Sequence, residues 1–260
     1  IQRYESQVDR LPYHDIMEIA NEAHAFEYRT GTPYAGVYLL KTLKGGRVQS
    51  AGRTLKTWGR KTWKKFARAG VSLLAVETHP DDFVIMAGPP AIHAREAGME
   101  IQVWTLGSGS GAAIPKIDNR EDMDALEKKK SKTSLRREEQ GAAFNVLGIR
   151  RYRPRFFGSE ILDANPTLTE LEVIREAAQV AGRHLLTYLD SHPHTKEILL
   201  LTNDPLDPHR SHRKTLDELI GEATGDELTG IFTKISALEQ YRDITFHLLY
   251  FTYPAEERNN

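Results

Sequence analysis

Short apolar runs separated by helix-length stretches constrain this chain more than any other feature. Residues 71–76 read Val-Ser-Leu-Leu-Ala-Val, 99–106 read Met-Glu-Ile-Gln-Val-Trp-Thr-Leu, and 198–201 read Ile-Leu-Leu-Leu. Each is too short for a buried helix, and such runs suit strands covered on both faces. Residues 91–98 read as the end of a helix stopped by Gly98, 135–147 as a helix closed by Gly148, and 168–191 as a long helix. A helix is expected over 215–220, and strands over 150–157, 232–235 and 245–253. The charged stretch 116–132 reads as a mobile segment or solvated helix. This alternation predicts an α/β fold, a mostly parallel sheet with helices on both faces.

Two of the strand ends release histidine and aspartate together. His79-Pro80-Asp81-Asp82 follows the run at 71–76, and Asp207-Pro208-His209-Arg210-Ser211-His212 follows the run at 198–201. Ligands of open α/β sheets bind beyond the carboxyl ends of strands, so the two loops are placed to converge. His79, Asp82 and His212 would then offer two imidazoles and one carboxylate, the three-ligand set with an open position that catalytic zinc uses. Asp81 would be free to act as general base, and His209 to polarise a carbonyl or protonate a leaving amine. The plain alternative for either motif alone is a turn with an Asp or His capping the next helix. The other histidines, His14, His24, His93, His184, His192, His194 and His247, lack such context and read as surface or structural. The chain has no cysteine, which excludes disulfides, Cys-based zinc sites and a thiol nucleophile.

Charge divides the chain. Glu27 and Glu77 enclose a stretch without an acidic residue that carries eleven Lys and Arg side chains. Its last part, 54–69, reads as a basic amphipathic helix with Leu55, Trp58, Thr62 and Phe66 at helical spacing and Trp63 beside them. The tryptophan face is expected to dock on the main domain; the second reading is peripheral contact with an anionic surface such as lipid headgroups. Residues 1–70 are thus taken as an N-terminal extension, basic and partly helical, ahead of a domain over 71–260. The formal net charge of −1 gives no general pull toward nucleic acid, and no nucleic-acid partner is expected. No apolar run reaches the roughly 18 residues of a membrane span, and no signal-like segment is seen; cytoplasmic localisation is expected, with membrane-peripheral association as the variant. Oligomeric state is not written in these patterns.

Together these residues resemble the PIG-L/LmbE-like deacetylase family. The resemblance is carried by His79-Pro80-Asp81-Asp82, Gly88, the strand ending Thr105-Leu106-Gly107, the Arg136-Arg137-Glu138-Glu139 helix leading to Leu147-Gly148, and the pair His209 and His212. It covers about residues 71–253. It implies a Rossmann-like fold and a zinc-dependent amide hydrolase that removes acetyl from an N-acetylated amino sugar or glycoconjugate. It also implies His79, Asp82 and His212 as metal ligands, Asp81 as base, His209 as the group that steadies the oxyanion, and Arg136 as a substrate contact. Zinc is implied by the resemblance, although two His and one carboxylate also suit Fe2+. The chain departs from the family pattern at Ser211, where an Asp is usual, at Phe83, where an acid commonly follows, and at Gly88-Pro89-Pro90, where a glycine pair stands. Ser211 leaves His209 without an adjacent carboxylate, so Asp204 or Asp207 would have to orient it. The alternatives are a silent carbohydrate-binding relative, a metal-dependent hydrolase of a phosphate or other ester, and a membrane-associated adaptor.

Overall fold

In the computed structural model, the described residues are 38–50, 60–149, 154–203, 209–221 and 229–251. They open on a hairpin of β1 (Tyr38–Lys44) and β2 (Arg47–Ser50), followed by α1 (Arg60–Arg68). Then come β3 (Ser72–Glu77), α2 (Asp82–Glu96) and β4 (Ile101–Thr105). A short α3 (Pro115–Asp118) precedes the long α4 (Ala125–Leu147), α5 (Phe157–Ala164) and α6 (Glu170–Ser191). The chain closes with β5 (Glu197–Asn203), α7 (Arg210–Leu219), α8 (Ile231–Ala237) and β6 (Thr245–Phe251).

All six strands form one sheet in the order β2-β1-β6-β5-β3-β4. The pairs β3–β4, β3–β5 and β5–β6 are parallel, whereas β1 is antiparallel to both β6 and β2. The sheet is therefore mixed: its parallel part is the one expected, and the antiparallel hairpin from residues 38–50 was not. That hairpin hides in the sequence because its strands carry Lys41, Lys44 and Arg47, and only the pairing with β6 fixes it.

Alternation along the central strands explains why both faces are covered. Leu74, Val76, Leu200 and Leu248 join one buried cluster with residues of α5, α6, α7 and α8. Leu73, Ala75, Leu199 and Leu201 point into the other with residues of α1, α2 and α4. Successive strand side chains face opposite sides, so an unbroken apolar run is what a doubly covered strand needs. Trp63 is completely buried in the second cluster, which makes α1 a docked helix with Lys64, Lys65 and Arg68 left exposed. Leu55 and Trp58 lie outside the described residues.

Helix starts follow capping chemistry. Asp124 accepts from the Glu127 backbone N–H while the Glu127 side chain accepts from Asp124, a reciprocal cap that begins α4 at Ala125. The helix expected from 135 thus starts ten residues earlier and takes in much of the charged stretch 116–132. Thr169 and Glu172 make the same box at the head of α6. Two expected strands are corrected. Residues 232–235 lie in α8, where Phe232, Ile235 and Ser236 are buried at helical spacing and the Thr233 hydroxyl donates to the Ile220 carbonyl; packing overrides the β-prone composition. Of 150–157, residues 150–153 lie outside the described part, Arg155 makes a single bridge to Trp104, and Phe157 already begins α5.

Candidate metal centre and its surroundings

Strand order places the site. From β3 the chain proceeds to β4 at one edge, and from β5 it proceeds to β6 on the other side. Strands β3 and β5 are neighbours, so the connections leaving their carboxyl ends part there and open a crevice. The first connection leads into α2 on one face of the sheet and the second into α7 on the other. Both histidine motifs stand at this crevice.

Their side chains meet. His79 Nδ1 lies 3.1 Å from His212 Nε2, Asp82 Oδ2 lies 3.3 Å from His212 Nε2, and 3.7 Å separates Asp82 Oδ2 from His79 Nδ1. Donor atoms held about 2.0–2.1 Å from one tetrahedral ion stand about 3.4 Å apart. The triangle therefore has the size that a single zinc-sized ion requires, from two imidazole nitrogens and one carboxylate oxygen, donors that such ions accept. His209 joins the group: its ring centroid is 5.0 Å from that of His79 and 4.6 Å from that of His212. One nitrogen from each of the three histidines falls within a 4.8 Å span. Asp82 and His212 are buried, His79 is partly so, and His209 is exposed at the rim.

A buried network sets these side chains. Asp82 Oδ2 accepts the His79 backbone N–H at 2.8 Å and the Asn203 side-chain amide at 3.4 Å. Asn203, the last residue of β5, takes the Thr78 hydroxyl on its Oδ1 at 2.9 Å, and Thr78 is 2.7 Å from the Thr215 hydroxyl on α7. Thr78, Asn203 and Thr215 thus clamp the ends of β3 and β5 to the helix that carries His212. Burial opposes the charge on Asp82, yet hydrogen bonds from His212 and His79 prevail and hold its carboxyl well below the usual carboxylate range. Neither Asp81 nor His209 makes a side-chain cap at the helix it precedes, so the plain capping alternative does not account for them.

A second buried carboxyl, Glu77, escaped the sequence analysis. It accepts the Phe83 backbone N–H at 2.7 Å, the Thr105 hydroxyl at 2.6 Å and the Gln140 amide. Burial, assisted by the nearby Asp82 charge, pushes its pKa well above the ordinary value. Glu77 therefore joins the ends of β3 and β4 to the first turn of α2 and to α4. In sequence it looks like the polar end of a strand, and only its partners reveal it.

Asp81 and Arg136 form an ion pair, and Arg136 also reaches Glu139 at 3.0 Å. The glycine-rich loop after β4 packs beside them. Gly109 has φ +70°, and a Cβ there would meet Pro80 at 3.0 Å and Arg136 at 3.4 Å. At Gly107 a Cβ would come within 2.5 Å of the Thr78 carbonyl, so a side chain is excluded where the loop crosses β3. Glu170 at the head of α6 anchors this loop, accepting the Ser108 N–H at 2.8 Å and its hydroxyl at 2.5 Å. Asp204 and Asp207 lie outside the described residues. Elsewhere His247 pairs with Glu197, His192 stacks on Tyr188, and His184 packs against Phe157.

A family model described as PIG-L: GlcNAc-PI de-N-acetylase matches residues 74–223. The chain belongs to the PIG-L family. The match takes in His79, Asp82, Arg136, His209 and His212, and spans more than half of the chain. Among solved structures, an N,N'-diacetylchitobiose deacetylase from Pyrococcus horikoshii is similar at 17% identity and TM-score 0.38, over 64% of this chain and 48% of that one. A 4-carboxy-2-hydroxymuconate hydratase from Pseudomonas putida matches at 21% identity and TM-score 0.36, over 56% and 55%. A deacetylase triple mutant involved in teicoplanin biosynthesis matches at 22% and 0.36, over 56% of each chain. The PIG-L chain thus spans about half the length of the solved structures it resembles. No curated protein matches. No helix among the described residues is long and apolar enough to cross a membrane.

Proposed function

We propose that this PIG-L family chain is a zinc-dependent hydrolase that removes acetyl from an N-acetylated amino sugar or glycoconjugate. The observation that carries the proposal is the triangle of His79, Asp82 and His212, with edges of 3.1 to 3.7 Å, at the switch point of the sheet. These three residues would hold the ion. Zinc so held would supply Lewis acidity toward a carbonyl and acidify water within its reach.

The chain's own groups divide the remaining work. Asp81, beside the triangle but outside it, accepts a proton from the attacking water at a carboxylate oxygen. Its ion pair with Arg136 fixes the direction in which that carboxylate faces. His209, exposed at the rim and within ring contact of His79 and His212, donates an N–H to the negative charge that gathers on the amide oxygen. A donor aimed at a developing oxyanion contributes about 3 kcal/mol of barrier lowering. The proton held on Asp81 then passes to the departing amine. The loop anchored by Glu170 packs on Pro80 and Arg136.

Acetate release from a panel of N-acetylated amino sugars, combined with metal analysis, tests this function. Release abolished by a chelator and restored by zinc is the expected result. Zinc-loaded protein that releases no acetate from any of them would overturn it.

A further inference from the structure

Helices α6 and α7 enclose an open cleft of about 410 Å³, the volume of a small-ligand pocket. Glu172 and Arg175 line it from α6, and Arg210, Arg213, Lys214 and Asp217 line it from α7. The α7 residues recur at i, i+3, i+4 and i+7, so they share one face of that helix. Cations outnumber acids four to two. Glu172 closes the capping box with Thr169, and Lys214 pairs with Glu218. Among the described residues no ion pair joins Arg175, Arg210 or Arg213 to an acid.

This placement works against the fold. Arg210 and Arg213 are like charges one turn apart, and α7 has no acid in its first turn to offset the positive end of its dipole. Three guanidinium groups lining such a concave surface suit an oxyanion, whose geometry matches their planar forks. Both walls are built on elements that also border the metal centre. Arg210 and Arg213 directly follow His209 and His212, while α6 begins at Glu170, which anchors the loop that packs on Pro80.

We propose that this cleft is an oxyanion subsite, and that it receives a phosphate, sulfate or carboxylate carried by the molecule whose amide enters the histidine site. The identity of that molecule rests on the deacetylase proposal; the oxyanion site rests on the arginines alone.

Inorganic sulfate is the probe, titrated into the zinc-loaded full chain and into Arg175→Gln and Arg213→Gln. Both positions are exposed, so neither substitution disturbs the core. Each is expected to weaken sulfate binding about tenfold, the effect of one charge-assisted hydrogen bond. Wild-type affinity in both variants would overturn the subsite. A second arm compares acetate release from N-acetylglucosamine 1-phosphate and from the neutral methyl glycoside. The wild type is expected to favour the phosphate in kcat/KM, and both variants to lose that preference. Arginine-dependent sulfate binding without any such preference overturns the link to substrate and leaves a site for free oxyanions. If neither sugar is deacetylated while sulfate binding still depends on the arginines, the deacetylase proposal fails and the oxyanion site stands.

Discussion

His79 Nδ1 and His212 Nε2 stand 3.1 Å apart although 133 residues separate them in the chain. Parallel pairing of β3 with β5 brings their loops side by side, and Asp82 completes the set. The two aspartates of one turn are thereby split: Asp82 is buried against both histidines, and Asp81 faces Arg136.

That split gives a first prediction. Asp81→Asn should retain zinc and lose turnover by about 10²- to 10⁴-fold, the usual contribution of a general base. Asp82→Asn should lose both. Metal content by atomic absorption and acetate release, measured on the same samples, check it; equal zinc loss in the two variants would contradict the division of roles.

Asn203 holds Asp82 with its amide nitrogen and Thr78 with its amide oxygen. Asn203→Ala should cost about 1–3 kcal/mol, because both buried partners lose a hydrogen bond. It should also weaken zinc binding by about 10- to 100-fold, as removal of a group that orients a metal ligand does. Denaturant titration and a competitive zinc chelator measure the two effects.

Glu77 is the acceptor for a backbone N–H of α2 and for the Thr105 hydroxyl. Glu77→Leu leaves both groups buried without that acceptor, at about 1–3 kcal/mol each. Glu77→Gln keeps a carbonyl oxygen and the volume, so it should cost clearly less. Equal losses of stability in urea for the two variants would argue against hydrogen bonding as the role of this residue.

Trp63 is fully buried in the cluster beneath α1 and α2. Trp63→Ala should destabilise by about 3–5 kcal/mol, the range for emptying a large aromatic site. Substituting the exposed Lys64 and Lys65 with Gln should move Tm little, since surface changes of that kind stay within about 0.5 kcal/mol. A large Tm loss in the lysine variant would mean that α1 is held by its charges and not by its tryptophan.

Much of the histidine and aspartate cluster was legible because its residues sit in two short motifs, each directly after an apolar strand. Where partners were distant, legibility failed. Thr78, Asn203 and Thr215 are ordinary polar residues until the strands pair, and Glu77 is one more strand-end carboxylate. Residues 232–235 carry a β-prone composition, but their buried positions follow the helical period once α8 meets the core. The β1–β2 hairpin was missed because Lys41, Lys44 and Arg47 interrupt its strands and its register depends on β6.

Sequence alone determined the doubly covered strands and the two histidine motifs, because each depends on side chains a few residues apart along the chain. Tertiary structure decided which strands became neighbours, and hence that His79, Asp82 and His212 share one crevice. It also decided the clamp of Thr78, Asn203 and Thr215 and the arginine-lined cleft of α6 and α7. These arise where segments far apart in sequence are packed within hydrogen-bond reach, and the energy of such contacts belongs to no single segment.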